Sequence, residues 1–158
     1  MCLFKVFTEK EKDEYLKQYD STWIPVKKVI YKQYKEGKFK YTGTIRDYTY
    51  KEGLNRISLW TFLNPFIESS MGIRYKKGFH FYQMAEILSI NQRIHRHEVE
   101  VLTCYVKKSW ITAIGKQGNP TVIVAKKAVF PQCPNKDLTK EEKKKYGINL
   151  QEKNLKTA

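Results

Sequence analysis

Two runs rich in β-branched and aromatic residues, joined through Glu36-Gly37, constrain this chain most. Short hairpin turns need positive φ, which glycine supplies without steric cost, so the stretch "VKKVIYKQYKEGKFKYTGTI" predicts a β-hairpin. One strand is expected near Val26–Lys35 and a second near Lys38–Ile45. Side chains alternate across a strand. Val29, Tyr31 and Gln33 therefore share one face of the first strand, and Ile30, Lys32 and Tyr34 share the other. Lysines interleave with aromatics along an extended ribbon.

The rest of the chain supplies partners for that ribbon. Thr8 and Glu11 have capping-box spacing, which predicts a short helix from Glu9 to Gln18. Pro25 stops any continuation of it. Leu54, Ile57 and Trp60 fit a helical stripe, and Trp60-Thr61-Phe62-Leu63 fits a strand equally well. Asn64-Pro65 marks a break. Phe79–Phe81 reads as a short strand after Gly78, with Phe79 and Phe81 toward the core and His80 and Tyr82 on the opposite face. "YQMAEILSINQRIH" reads as a helix buried through Met84, Ile87, Leu88 and Ile90. "EVEVLTCYV" and "TVIVAKKAVF" read as two strong strands, with a loop at Gln117–Pro120. From Asn135 core formers thin out, and Thr139 and Glu142 repeat the capping-box spacing ahead of Gly147. The expected architecture is α+β. A single domain over residues 1–134 holds a curved, mostly antiparallel sheet with one or two packed helices. A basic helix or tail follows over residues 135–158.

Composition then narrows the function classes. Aromatics reach 14% and hydrophobics 41%, too many for a disordered chain. Lys and Arg outnumber Asp and Glu by 30 to 16, a net charge of +14. Such an excess favours an acidic partner: nucleic acid first, an acidic protein face next. Cys2, Cys104 and Cys133 form no CxxC pair or disulfide framework, which fits a reducing, cytoplasmic setting. The start "MCLFKVF" is too short for a signal peptide, and no apolar run approaches a membrane span, so no membrane association is expected.

Few motifs carry chemistry. Lys32, Lys35, Lys38 and Lys40 stand among Tyr31, Tyr34, Phe39 and Tyr41, and Lys76 and Lys77 can extend the same basic patch. Lysines neutralise phosphates and exposed rings stack on unpaired bases, so these six lysines are the candidate nucleic-acid contacts. His95 and His97 would share a strand face and are the only candidate metal ligands, two where a site needs three or four. No GxSxG, HExxH, P-loop or GxGxxG occurs, and no cofactor is expected.

"MCLFK", "VIYKQY", "KKGFHFY" and "CYVKKSWITAIG" resemble small uncharacterised proteins of bacteriophages and gut bacteria, which open with Met-Cys-Leu and carry a central Gly-Phe-His. The resemblance spans most of residues 1–130 and implies a phage-type accessory protein acting in the host cytoplasm. A more distant likeness is to the ADP-ribosyltransferase core, with "VIYK", "GFHF" and "NPTVIVAKK" as its early, middle and late strands. That likeness implies a nucleotide cleft with His80, Tyr82 and Lys32 as its catalytic candidates. Lys32 stands where that family carries histidine, His80 where it carries tyrosine, and Thr121 near the place of its glutamate. Three functions follow as expectations: a non-catalytic binder of an acidic partner, an ADP-ribosyltransferase-like nucleotide-binding protein, or a structural virion component.

Overall fold

The structure is a computed structural model and describes residues 3–43, 48–58, 63–69, 71–84 and 99–150. Within these residues it is a mostly antiparallel sheet with two short helices. The elements run β1 (Lys5–Val6), α1 (Glu9–Leu16), β2 (Trp23–Lys35), β3 (Lys38–Gly43), β4 (Thr49–Tyr50), β5 (Gly53–Arg56), β6 (Phe66–Glu68) and β7 (Arg74–Lys76). Then come β8 (Phe79–Tyr82), β9 (Val99–Lys107), β10 (Ile111–Lys116), β11 (Thr121–Ala125), β12 (Lys127–Phe130) and α2 (Lys140–Lys145). Ten strands form one sheet in the order β1-β10-β11-β8-β2-β9-β12-β5, with β3 beside the far end of β2 and β4 beside β3. β6 and β7 form a separate two-stranded unit.

β2 is the axis of this arrangement. Its residues from Trp23 to Tyr31 pair with β9, and Ile30 to Lys35 pair with β3. Lys27 also pairs with Tyr82 of β8. The expected hairpin is present, and Glu36 and Gly37 both take positive φ, 52° and 79°. That backbone twist matches the flanking strands. The second strand ends at Gly43, and residues 44–47 lie outside the described region.

The principal core gathers Ile24, Val26 and Ile30 of β2, Phe81 of β8, Leu102, Cys104 and Val106 of β9, and Phe130 of β12. Phe81 and Phe130 meet with ring centroids 6.0 Å apart, although β2 and β9 lie between their strands. Gly78 is required where β8 approaches β11. A Cβ there would stand 2.7 Å from the Ala125 carbonyl oxygen and 2.8 Å from a Val124 methyl.

Several elements differ from expectation. "TVIVAKKAVF" is two strands rather than one, interrupted at exposed Lys126. The break lets β11 pair with β10 and β8 while β12 pairs with β9 and β5. Residues 111–116, where no strand was expected, form β10, because β1 and β11 supply partners on both edges. Residues 53–56 resolve as strand. The helix expected from Tyr82 onward falls mostly on residues outside the described region, as do Trp60, His95 and His97.

Candidate functional site

The tip of the β2–β3 hairpin holds most of the expected basic residues. Tyr34 and Phe39 face each other across the strands in register. Their rings form an edge-to-face pair at 5.3 Å, yet they remain 66% and 53% exposed. The Lys32 ammonium sits 4.8 Å from the Phe39 ring centre, a cation–π contact on the same face. Lys35 and Lys38 lie directly opposite each other in register. Lys40 pairs with Glu36, and that bond holds the Glu36 carboxyl below the usual carboxylate range. The structure therefore brings Lys32, Lys35, Lys38 and Lys40 to one hairpin, divided between its two faces. Lys76 and Lys77 belong to the separate β6–β7 unit, where Phe66 instead carries the Arg74 guanidinium at 4.2 Å.

The "KKGFHFYQ" stretch makes a second polar centre. His80 and Tyr75 are joined by a 2.9 Å hydrogen bond between imidazole Nε2 and phenol. Leu3 N–H donates to the same phenol oxygen at 3.1 Å. The His80 ring also bonds the Gly78 backbone. Burial, with the Lys28 ammonium second, lowers the His80 pKa to about 4. The imidazole is neutral near pH 7, and because its bond to the Gly78 backbone is one in which the ring donates, Nε2 is the acceptor and Tyr75 donates to it. Tyr82 donates to Gln117 Oε1 at 3.3 Å, and burial raises its phenol pKa.

Lys32 and His80 serve different places: Lys32 packs on Phe39, and it is Lys28 whose Nζ donates to the His80 carbonyl oxygen at 2.8 Å. Lys28 shares its strand face with Ile24, Val26 and Ile30, all fully buried. Burial lowers its pKa to about 8, with the Cys104 thiol opposing. The composition gave no hint of this residue, but the alternation did. In "VKKVIY" one of two consecutive lysines must share the face of Val26 and Ile30. Its neighbour Lys27 points to the other face and donates to Thr103 Oγ1 at 2.6 Å.

The described cysteines are not poised as nucleophiles. Cys104 is fully buried and burial raises its thiol pKa steeply. Cys133 is half-buried near Tyr41, and burial again raises its pKa. Cys2 lies outside the described residues, within which no group of three His, Cys, Asp or Glu could hold a metal ion. No described helix is long and apolar enough to cross a membrane. No protein-family model, curated protein or solved structure matches the chain.

Proposed function

We propose that the chain binds single-stranded nucleic acid through the β2–β3 hairpin, as a non-catalytic accessory protein of the phage type acting in the host cytoplasm. The observation that carries this reading is the Tyr34–Phe39 pair, two large rings left in solvent at a hairpin tip, with Lys32 on their face and Lys35, Lys38 and Lys40 on the opposite face of the same ribbon. Exposed rings of this kind offer stacking faces for unpaired bases, and the lysines offer counter-charges for phosphates. Charge alone would not keep two aromatic rings exposed. A sheet that curves around the Phe81–Phe130 contact, leaving the hairpin to project past β9, belongs to the same reading.

An NAD-type cleft built on His80, Tyr82 and Lys32 has less support. The His80 ring nitrogens and the Tyr82 phenol already have protein partners, and Lys32 packs on Phe39. An acidic protein partner shares the lysines but has no need of the rings.

Titration of a fluorescent single-stranded oligonucleotide tests the proposal. Replacing both Tyr34 and Phe39 by alanine is expected to weaken binding at least about tenfold, at roughly 1–3 kcal/mol per stacked base, with an unchanged salt slope. Equal affinity for the double variant would reduce the interaction to charge alone and overturn it. Displacement of the oligonucleotide by polyglutamate at equal charge would point to an acidic protein instead.

A further inference from the structure

Residues directly opposite in antiparallel strands point to the same face of the sheet. Tyr34 lies opposite Phe39, Lys32 opposite Tyr41, and Ile30 opposite Gly43. Tyr50 of β4 in turn lies opposite Tyr41, and the Gly43 N–H donates to the Tyr48 carbonyl oxygen at 2.9 Å. Tyr48 therefore stands on the face of Tyr34 and Phe39, two rows in from the tip, in a row where Gly43 supplies no side chain. Among the described residues the exposed aromatic rings are Phe4, Tyr34, Phe39 and Tyr48, so all but Phe4 share this one face. Tyr48 is 42% exposed, yet its ring is held against Tyr50 at 5.0 Å and Phe79 at 6.0 Å. The row between the tip and Tyr48 holds Lys32, whose ammonium leans onto Phe39, and buried Tyr41, whose phenol donates to the Asn135 carbonyl at 2.7 Å.

We infer that Tyr48 is a second stacking platform, and that this face takes a single strand with one base on the Tyr34–Phe39 pair and another on Tyr48. The inference rests on the hairpin reading of nucleic-acid binding and adds a spacing to it. Four residues along the strands and one strand across put Phe39 and Tyr48 about 14 Å apart. A stacked strand rises about 3.4 Å per nucleotide and an extended one covers about twice that, so about two to four steps bridge the gap and a single step does not. Lys32, in the intervening row, offers its charge to a phosphate of the bridging steps. The occupant is a single strand rather than a duplex, because unpaired bases present free faces to the rings whereas duplex bases are stacked on one another. A ring already held by its neighbours loses little freedom on binding, which favours Tyr48 as a platform over a side chain that must first be ordered. The net charge of +14 complements the polyanion.

A set of single-stranded DNA hexamers, abasic except for two thymines whose separation is varied, tests the spacing by fluorescence anisotropy at low salt. Adjacent thymines reach one platform only. Affinity is expected to rise about fivefold or more once the thymines stand about two to four steps apart, which is the worth of one further stacked base. Tyr48→Ala is expected to flatten that profile, and Tyr48→Phe, which keeps the ring, to preserve it. A flat profile in the natural chain overturns the inference, as does a stepped profile that Tyr48→Ala leaves unchanged. Binding of an unmodified oligothymidylate separates the two levels of the argument. If the profile is flat but replacing Tyr34 and Phe39 still weakens that binding, only the second platform falls. If that replacement changes nothing either, the hairpin reading falls with it. The profile of the natural chain stands even if the alanine variant does not fold.

Discussion

At His80 burial outweighs a hydrogen bond that favours the protonated ring. Burial and the nearby Lys28 charge disfavour protonation of the imidazole, which accepts from Tyr75, while its bond to the Gly78 backbone works the other way and is outweighed. A histidine in the unfolded chain protonates near pH 6.5, whereas the folded one does so near 4. The unfolded state therefore binds more protons between those values, and stability falls as pH drops through that window. Denaturant titrations at pH 7 and pH 4 should show the natural chain losing on the order of 2 kcal/mol more than His80→Asn, whose amide does not titrate. An equal loss in both would place the acid sensitivity elsewhere. Some of this site was legible in the residues: alternation alone puts Phe79 and Phe81 on the core side of β8, where they pack with Phe130. The Tyr75 partner was not, because the bond depends on how β7 and β8 meet rather than on their spacing.

Elements whose signals are local behave as their residues dictate. Both capping boxes are formed, Thr8 with Glu11 and Thr139 with Glu142, each through two reciprocal bonds. Neither helix contains a fully buried residue, so the caps contribute a large share of what holds their first turns. Thr8→Ala and Thr139→Ala are each expected to cost about 1 kcal/mol in denaturant-unfolding stability, with Thr→Ser nearly neutral. A loss as large for serine as for alanine would assign the effect to packing of the threonine methyl. The Glu36-Gly37 turn is local in the same sense, since two consecutive positive φ values leave the ribbon few other ways to close. The break at Lys126 is the contrary case. Nothing in "TVIVAKKAVF" forbids one long strand, and the chain divides because its two halves find different neighbours.

For the whole molecule the second face of the sheet matters as much as the first. Leu138 and Ile148, 5% and 4% exposed, flank α2 and pack with Trp23, Tyr105 and Val129. Asp137 accepts from the Tyr105 phenol at 2.8 Å and ties the same segment to β9. Residues 135–150 are thus part of the folded body, where composition alone suggested a helix or tail. Ile148→Ala is expected to cost about 2–4 kcal/mol, with a red shift of tryptophan emission as Trp23 gains solvent. Unchanged stability and emission would mean that the sheet does not depend on this cover. By itself the sequence determined the hairpin, the two caps, the strand character of β2, β8 and β9, and the basic charge, because each follows from neighbours a few residues apart. Tertiary structure alone decided which strands pair beyond that hairpin and that residues 135–150 cover the outer face. It also decided that Lys28, not Lys32, meets His80. Those outcomes depend on contacts between residues far apart in the chain, whose burial and electrostatics exist only once the sheet has assembled.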